Sequence, residues 1–162
     1  MGAPMVTKAE RQPRRQCAGR RRQAWPRPGA VEWRDVPQTS GHARDLTRAY
    51  LAGPAADARD VDLDAVLLVV SELVTNAVRH AGGVTGFCLE AGPRGVAVLV
   101  SDASSLRPVS GEHVPGRAGG FGWRLVRQLG SAVTVSVRPG AGKTVRVHVP
   151  VPDHARTPDP HT

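Results

Sequence analysis

The segment from Asp62 to Ala81, DLDAVLLVVSELVTNAVRHA, constrains this chain more than any other. At about 100° per residue, Leu63, Val66, Leu67, Val70, Leu73, Val74 and Ala77 fall on one wide apolar stripe of a helix. Acidic residues stand in its first turn, and Gly82-Gly83 ends it. The opposite side carries Glu72, Asn76 and Arg79 at i, i+4 and i+7. One turn earlier that same side carries Ala65, Leu68 and Val69, so the helix is apolar all round just before Glu72. Such a helix is covered on more than one side. Glu72 and Asn76 then admit two readings. They are a solvated polar face, or a partly desolvated carboxylate and amide that need a partner or line a pocket.

Composition sharpens this point. The chain has no Ile, two Lys against twenty Arg, and a single Asn. That bias fits a GC-rich genome, under which an Asn inside a helix calls for a reason. The one Asn is Asn76.

The rest of the chain supplies partners for this helix. Ala30–Val36 reads as a first strand. Thr39 or Ser40 offers an N-cap for a helix to about Leu51, stopped by Gly53-Pro54. After Gly82-Gly83 come a strand at about Val84–Glu90, a turn at Gly92-Pro93, and a strand at about Gly95–Ser101. Residues 103–118 have little periodicity and read as a long loop. The glycines Gly119, Gly120 and Gly122 open a third helix to about Leu129. Two alternating strands follow, with Val133, Val135 and Val137 on one face and Val145, Val147 and Val149 likewise, joined by a Pro139-Gly140 turn. Their other faces carry Thr134, Ser136, Arg146 and His148. A sheet polar on one face packs its helices on the other. The predicted fold is a two-layer α+β sandwich, a mixed, mostly antiparallel sheet with helices on one face, over residues 31–150. Residues 1–30 and 151–162 read as disordered tails.

Charge, apolar runs and cysteines exclude several classes. The formal net charge is +8. Residues 1–34 hold nine positives and two negatives, whereas residues 35–162 hold thirteen and twelve. Basicity is therefore a property of the tail, and nucleic acid is expected at most as a weak partner of residues 1–30. The longest apolar runs fall far short of the roughly 18 residues a membrane span needs. No apolar stretch follows the N-terminal arginines as in a signal peptide, and Cys17 and Cys88 make no disulfide framework or zinc site. The expectation is a cytoplasmic protein.

Three further features bear on a ligand. The glycines at 119, 120 and 122 precede a helix whose N-terminal N–H groups suit an anion, although a hinge with a tight turn has the same composition. Asp102 ends a Val-rich strand, as a ligand acceptor or as an Asx-turn. Gly142-Lys143-Thr144 resembles the end of a P-loop. That motif fails, because its first glycine would fall at Val137 and an alternating strand, not a helix, follows.

In chain order, Glu72-Leu73-Val74-Thr75-Asn76-Ala77, Asp102, the Gly119–Gly122 cluster opening a helix, and Thr144 resemble the GHKL ATP-binding domain, the Bergerat fold. SELVTNAVRHA at Ser71–Ala81 and FGWRLVRQL at Phe121–Leu129 look most like the small bacterial anti-sigma-factor serine/threonine kinases. The resemblance implies ATP held between the second helix and a lid formed by the long loop. It implies Asn76 as ligand of a Mg²⁺ bridging the phosphates, and Glu72 as general base. Asp102 would accept from the adenine amino group, Thr144 would support the adenine, and Gly119, Gly120 and Gly122 would give N–H groups to the phosphates. Arg117, in the lid, would neutralise γ-phosphate charge or stand as a solvated loop arginine. His80 is expected to be structural. Partners implied are an anti-sigma antagonist of the STAS type, a sigma factor and a second copy of the chain.

One departure stands out. The family pattern D-x-G-x-G after the aspartate is replaced by Asp102-Ala103-Ser104-Ser105-Leu106, which bears on nucleotide affinity and lid motion. It leaves a second reading beside the kinase, a module that sequesters a partner without phosphoryl transfer.

Overall fold

The computed structural model describes residues 30–33, 36–54, 56, 58, 60–108 and 121–152. Strand β1 (Ala30–Glu32) leads to helix α1 (Ser40–Leu51) and helix α2 (Leu63–Ala81). Strands β2 (Val84–Gly92) and β3 (Gly95–Asp102) follow, then helix α3 (Phe121–Leu129) and strands β4 (Ala132–Arg138) and β5 (Gly142–Pro150). The sheet order is β1-β2-β3-β5-β4. All four pairings are antiparallel, so the mixed component expected from the sequence is absent among the described strands.

Local chemistry sets the helix ends. The Thr39 side chain caps α1 by accepting from the His42 N–H at 3.2 Å. Asp62 caps α2 by accepting from the Ala65 N–H at 3.0 Å, which satisfies a donor the helix leaves open. At the other end Gly82 takes a left-handed φ of 76°, a conformation suited to glycine. The next junction depends on a contact remote in sequence. The Gln38 side chain donates to Val84 O at 2.8 Å and accepts from Val84 N at 3.0 Å, imitating a neighbouring strand where β2 begins.

Helix α2 lies on the sheet between α1 and α3. Val66, Val69, Val70, Leu73, Val74 and Ala77 are buried against Phe87, Leu89, Val96, Val98, Val100, Val126, Val145, Val147 and Val149. Of the three apolar residues on the side away from the stripe, Ala65 and Val69 are buried while Leu68 remains 39% exposed. The cover expected there is thus partial. On the sheet's other face Thr134 and Ser136 are exposed as their alternation predicts, but Arg146 and His148 are half-buried. Glu90, 4.0 Å from Arg146, is buried on that face.

Aromatic packing closes the β1 edge. Trp33 meets Tyr50 edge-on at 6.0 Å and Phe87 at 5.2 Å. The Ala91 N–H donates to the Tyr50 hydroxyl at 3.1 Å. Burial pushes the Tyr50 phenol above its ordinary 10.0, against the opposing effect of that hydrogen bond. A raised phenol stabilises the fold below the unfolded-state value and loses this contribution as pH rises through the folded one. Two outcomes are expected in denaturant melts. Near neutral pH, Tyr50→Phe costs about 1–3 kcal/mol, because the Ala91 N–H loses its acceptor. As pH rises above the ordinary phenol value of 10.0, the wild type loses more stability than Tyr50→Phe does.

Candidate functional site

The site is built where α2 meets α3. Glu72 and Asn76 stand one turn apart on α2, both half-buried. Their neighbours toward the sheet, Leu73, Val74 and Ala77, are in the core and fix the rotation of the helix. A link to α1 holds the same turn, for Arg44 donates to Ser71 Oγ at 3.1 Å, and Ser71 Oγ donates to Leu67 O at 2.7 Å. Among the described residues neither Glu72 nor Asn76 has a side-chain hydrogen-bond or ion-pair partner. An acceptor-only carboxylate and an amide are therefore left with their capacity unused beside a packed core.

Gly122 closes one side of this pair. A Cβ added there would overlap the Glu72 carboxylate, at Oε2. The bare α-carbon lets the first turn of α3 lie directly against the acid. Sequence reasoning places Gly122 in the run before the helix, whereas it is the second residue of α3. An anionic group at a helix N-terminus is favoured by the dipole and by the open N–H groups.

Asp102 lies on the core face of β3, in line with Val96, Val98 and Val100. It pairs in register with Val84, so it sits at the sheet end where α2 hands over to β2. Across the other ladder it faces Lys143, and the two make an ion pair at 2.8 Å with side chains 6% and 7% exposed. Gly142 permits this. Its φ is 80°, and a Cβ there would overlap Asp102 O. The Asx-turn reading also holds, since the Ser104 N–H donates to Asp102 Oδ1 at 2.8 Å.

Thr144 is not brought to Asp102. Alternation turns it to the opposite face of the sheet, where its hydroxyl is hydrogen-bonded to Ser101 Oγ at 2.8 Å. Lys143 is the residue that sequence reasoning missed. It stands two places before Val145 on the strand face already assigned inward, which is the signal that would have found it. Arg117, Gly119 and Gly120 lie outside the described residues. His80 is exposed in the last turn of α2, where a basic residue complements the helix dipole.

A family model for the histidine kinase-like ATPase domain matches residues 35–149, well over half of the chain. The chain belongs to that family. No curated relative matches it. The matched span takes in α1, α2, the Glu72–Gly122 contact and the Asp102–Lys143 pair, so every described element of the site falls inside the histidine kinase-like ATPase domain. Among the described residues no three His, Cys, Asp or Glu side chains cluster to cage a metal, and no helix is long and apolar enough to cross a membrane. The uncommitted amide oxygen of Asn76 fits a hard divalent cation such as Mg²⁺, which takes one or two protein oxygens and completes its shell with phosphate and water.

The two glycines respond differently to a methyl group. At Gly142 the obstacle is backbone and φ is positive. Gly142→Ala is therefore expected to destabilise by about 1–3 kcal/mol. At Gly122 the obstacle is the end of a flexible side chain inside a helix. Gly122→Ala is expected to leave the melting temperature unchanged or raise it, because alanine is favoured over glycine in helices by about 0.5–1 kcal/mol. Thermal melts of the two variants check both signs.

Proposed function

We propose that this ATPase-family domain binds Mg-ATP and transfers its γ-phosphoryl group to a serine or threonine hydroxyl of a partner protein. The partner is an antagonist of an anti-sigma factor, and regulation of a sigma factor is the outcome. The reading is carried by one observation: the Glu72 carboxylate, held against Gly122 and one turn from Asn76, both without a side-chain partner among the described residues. Further support comes from the likeness of SELVTNAVRHA and FGWRLVRQL to the small anti-sigma serine/threonine kinases.

The roles follow from chemistry. Asn76 offers its amide oxygen to Mg²⁺, which supplies neutralisation of phosphate charge when bound. Glu72 accepts the proton of the attacking hydroxyl. The hydroxyl oxygen forms a bond to the γ-phosphorus, the bond to the bridging oxygen breaks, and ADP leaves with that electron pair. Such a reaction asks the protein mainly for positioning and charge balance, which a base, an amide and helix-end N–H groups supply. The apolar floor of Leu73, Val74 and Ala77 keeps α2 from turning, and so holds the base and the amide on the same side.

A second reading is favoured by the lysine already paired to Asp102 and by the glycine-free segment after it. It is a domain that holds its partner without transferring phosphate. A radiolabelled phosphoryl-transfer assay with a STAS-type antagonist separates the two. Glu72→Gln is expected to lower transfer by about 10²–10⁴-fold while nucleotide and partner binding persist. Partner binding with no transfer by the wild type sinks the kinase reading and leaves the sequestering one.

A further inference from the structure

Strand β4 is an edge of the sheet, because among the described strands it pairs only with β5. In a strand paired on one side, every second residue turns its N–H and C=O away from the ladder, where a further strand can take them. The usual protections of such an edge are missing here. Ala132–Arg138 has no Pro or Lys and no register shift against β5, and its one charge stands at its last position. Beside the edge, between α3 and β4, lies a cleft of about 370 Å³ whose lining includes Arg107, Trp123, Arg127, Ser131, Val133 and Val135.

Trp123 and Arg127, at i and i+4, share the face of α3 turned toward β4. Val133 and Val135 alternate to the same side and, like Trp123, are only partly buried against the core. Thr134 and Ser136, on the strand's other side, are exposed. The valines at this edge thus lack the neighbour that would finish their burial. Charge adds a sign to the deficit. Arg107 and Arg127 are exposed, and no acidic residue lines the cleft. Residues 121–138 hold Arg124, Arg127 and Arg138 but no Asp or Glu. Such a margin repels a second copy of itself and attracts carboxylates.

We propose that the β4 edge and the α3–β4 cleft receive an extended, acidic segment of a partner protein. The segment adds a strand beside β4, with an apolar residue against Val133 and Val135 and carboxylates toward Arg107 and Arg127. Main-chain pairing gives an added strand its affinity, and its alternate side chains give selectivity. The period of two sets the pattern, because residues i−2 and i+2 flank residue i on the cleft side. Acid–x–apolar–x–acid therefore suits the cleft, and a hydroxyl residue at each x suits the side that carries Thr134 and Ser136. The inference stands apart from the Glu72–Gly122 site and needs no nucleotide.

The test is an amide NMR titration of the full chain with an end-blocked peptide, Thr-Glu-Thr-Val-Thr-Glu-Thr. Saturable shifts centred on β4 and the facing side of α3 are expected. The same peptide with lysine for glutamate is expected to bind about tenfold more weakly or worse. N-methyl groups on one alternate set of peptide amides should abolish binding, and on the other set should leave it, because only one set faces β4. Arg107→Glu with Arg127→Glu, checked for folding by its melting curve, is expected to weaken the acidic peptide by about threefold to tenfold. Shifts elsewhere or none, equal binding of the lysine peptide, or indifference to which amides are methylated each overturn the inference. So does slow hydrogen exchange at the outward amides of β4 in the free chain, since another segment or a second copy then already holds the edge. If the double variant does not fold, the peptide series on the wild type decides.

Discussion

A helix pinned on three sides cannot turn to hide a polar residue, and the whole site depends on that restriction. Helix α2 is held by the sheet beneath it, by α1 through the Arg44–Ser71 hydrogen bond, and by α3 through Gly122. With Leu73, Val74 and Ala77 locked into the core, Glu72 and Asn76 have one direction left. The carboxylate meets a bare α-carbon there, where any larger residue would displace it. The amide, one turn away, has no side-chain partner among the described residues. Fold stability and the presentation of these two groups thus come from the same packing.

The sheet does the corresponding work at its far end. Alternation sends Val96, Val98 and Val100 into the core, and by the same period sends Asp102 there too. On β5 the series Val149, Val147, Val145 runs on to Lys143. Two charged residues thereby reach a face reserved for aliphatic ones and neutralise each other across the ladder. Gly142, in a left-handed conformation, gives the strands the room to do so.

Much of this was legible in the sequence where the signal is local. Thr39, Asp62 and Gly82 announce helix ends through hydrogen bonds within a few residues, and the expected helix limits agree with the observed ones to within about a residue. Contacts between distant segments were not legible in that way. Gln38 completing the start of β2, and Gly122 settling on Glu72, depend on how elements stack, and no periodicity encodes stacking. Lys143 lies between these cases. Its strand face was implied by the valines, yet its string, Gly-Lys-Thr, invited comparison with a phosphate loop. No phosphate loop forms there, since Gly142–Pro150 is a strand, and the lysine's inward place follows from the alternation of that strand. Thr144, by contrast, shares the strand and points to the other face, because one residue of offset in a strand reverses the side.

Under the proposed function, α2 presents a nucleotide site whose Asn76 amide engages Mg²⁺. Titration calorimetry of the full chain with ATP, in the presence of Mg²⁺ and then of a chelator, tests it most directly. Saturable binding that weakens strongly on chelation, and that loses its Mg²⁺ dependence in Asn76→Ala, is the predicted result. Binding that is absent, or identical with and without Mg²⁺ in the wild type, would contradict it.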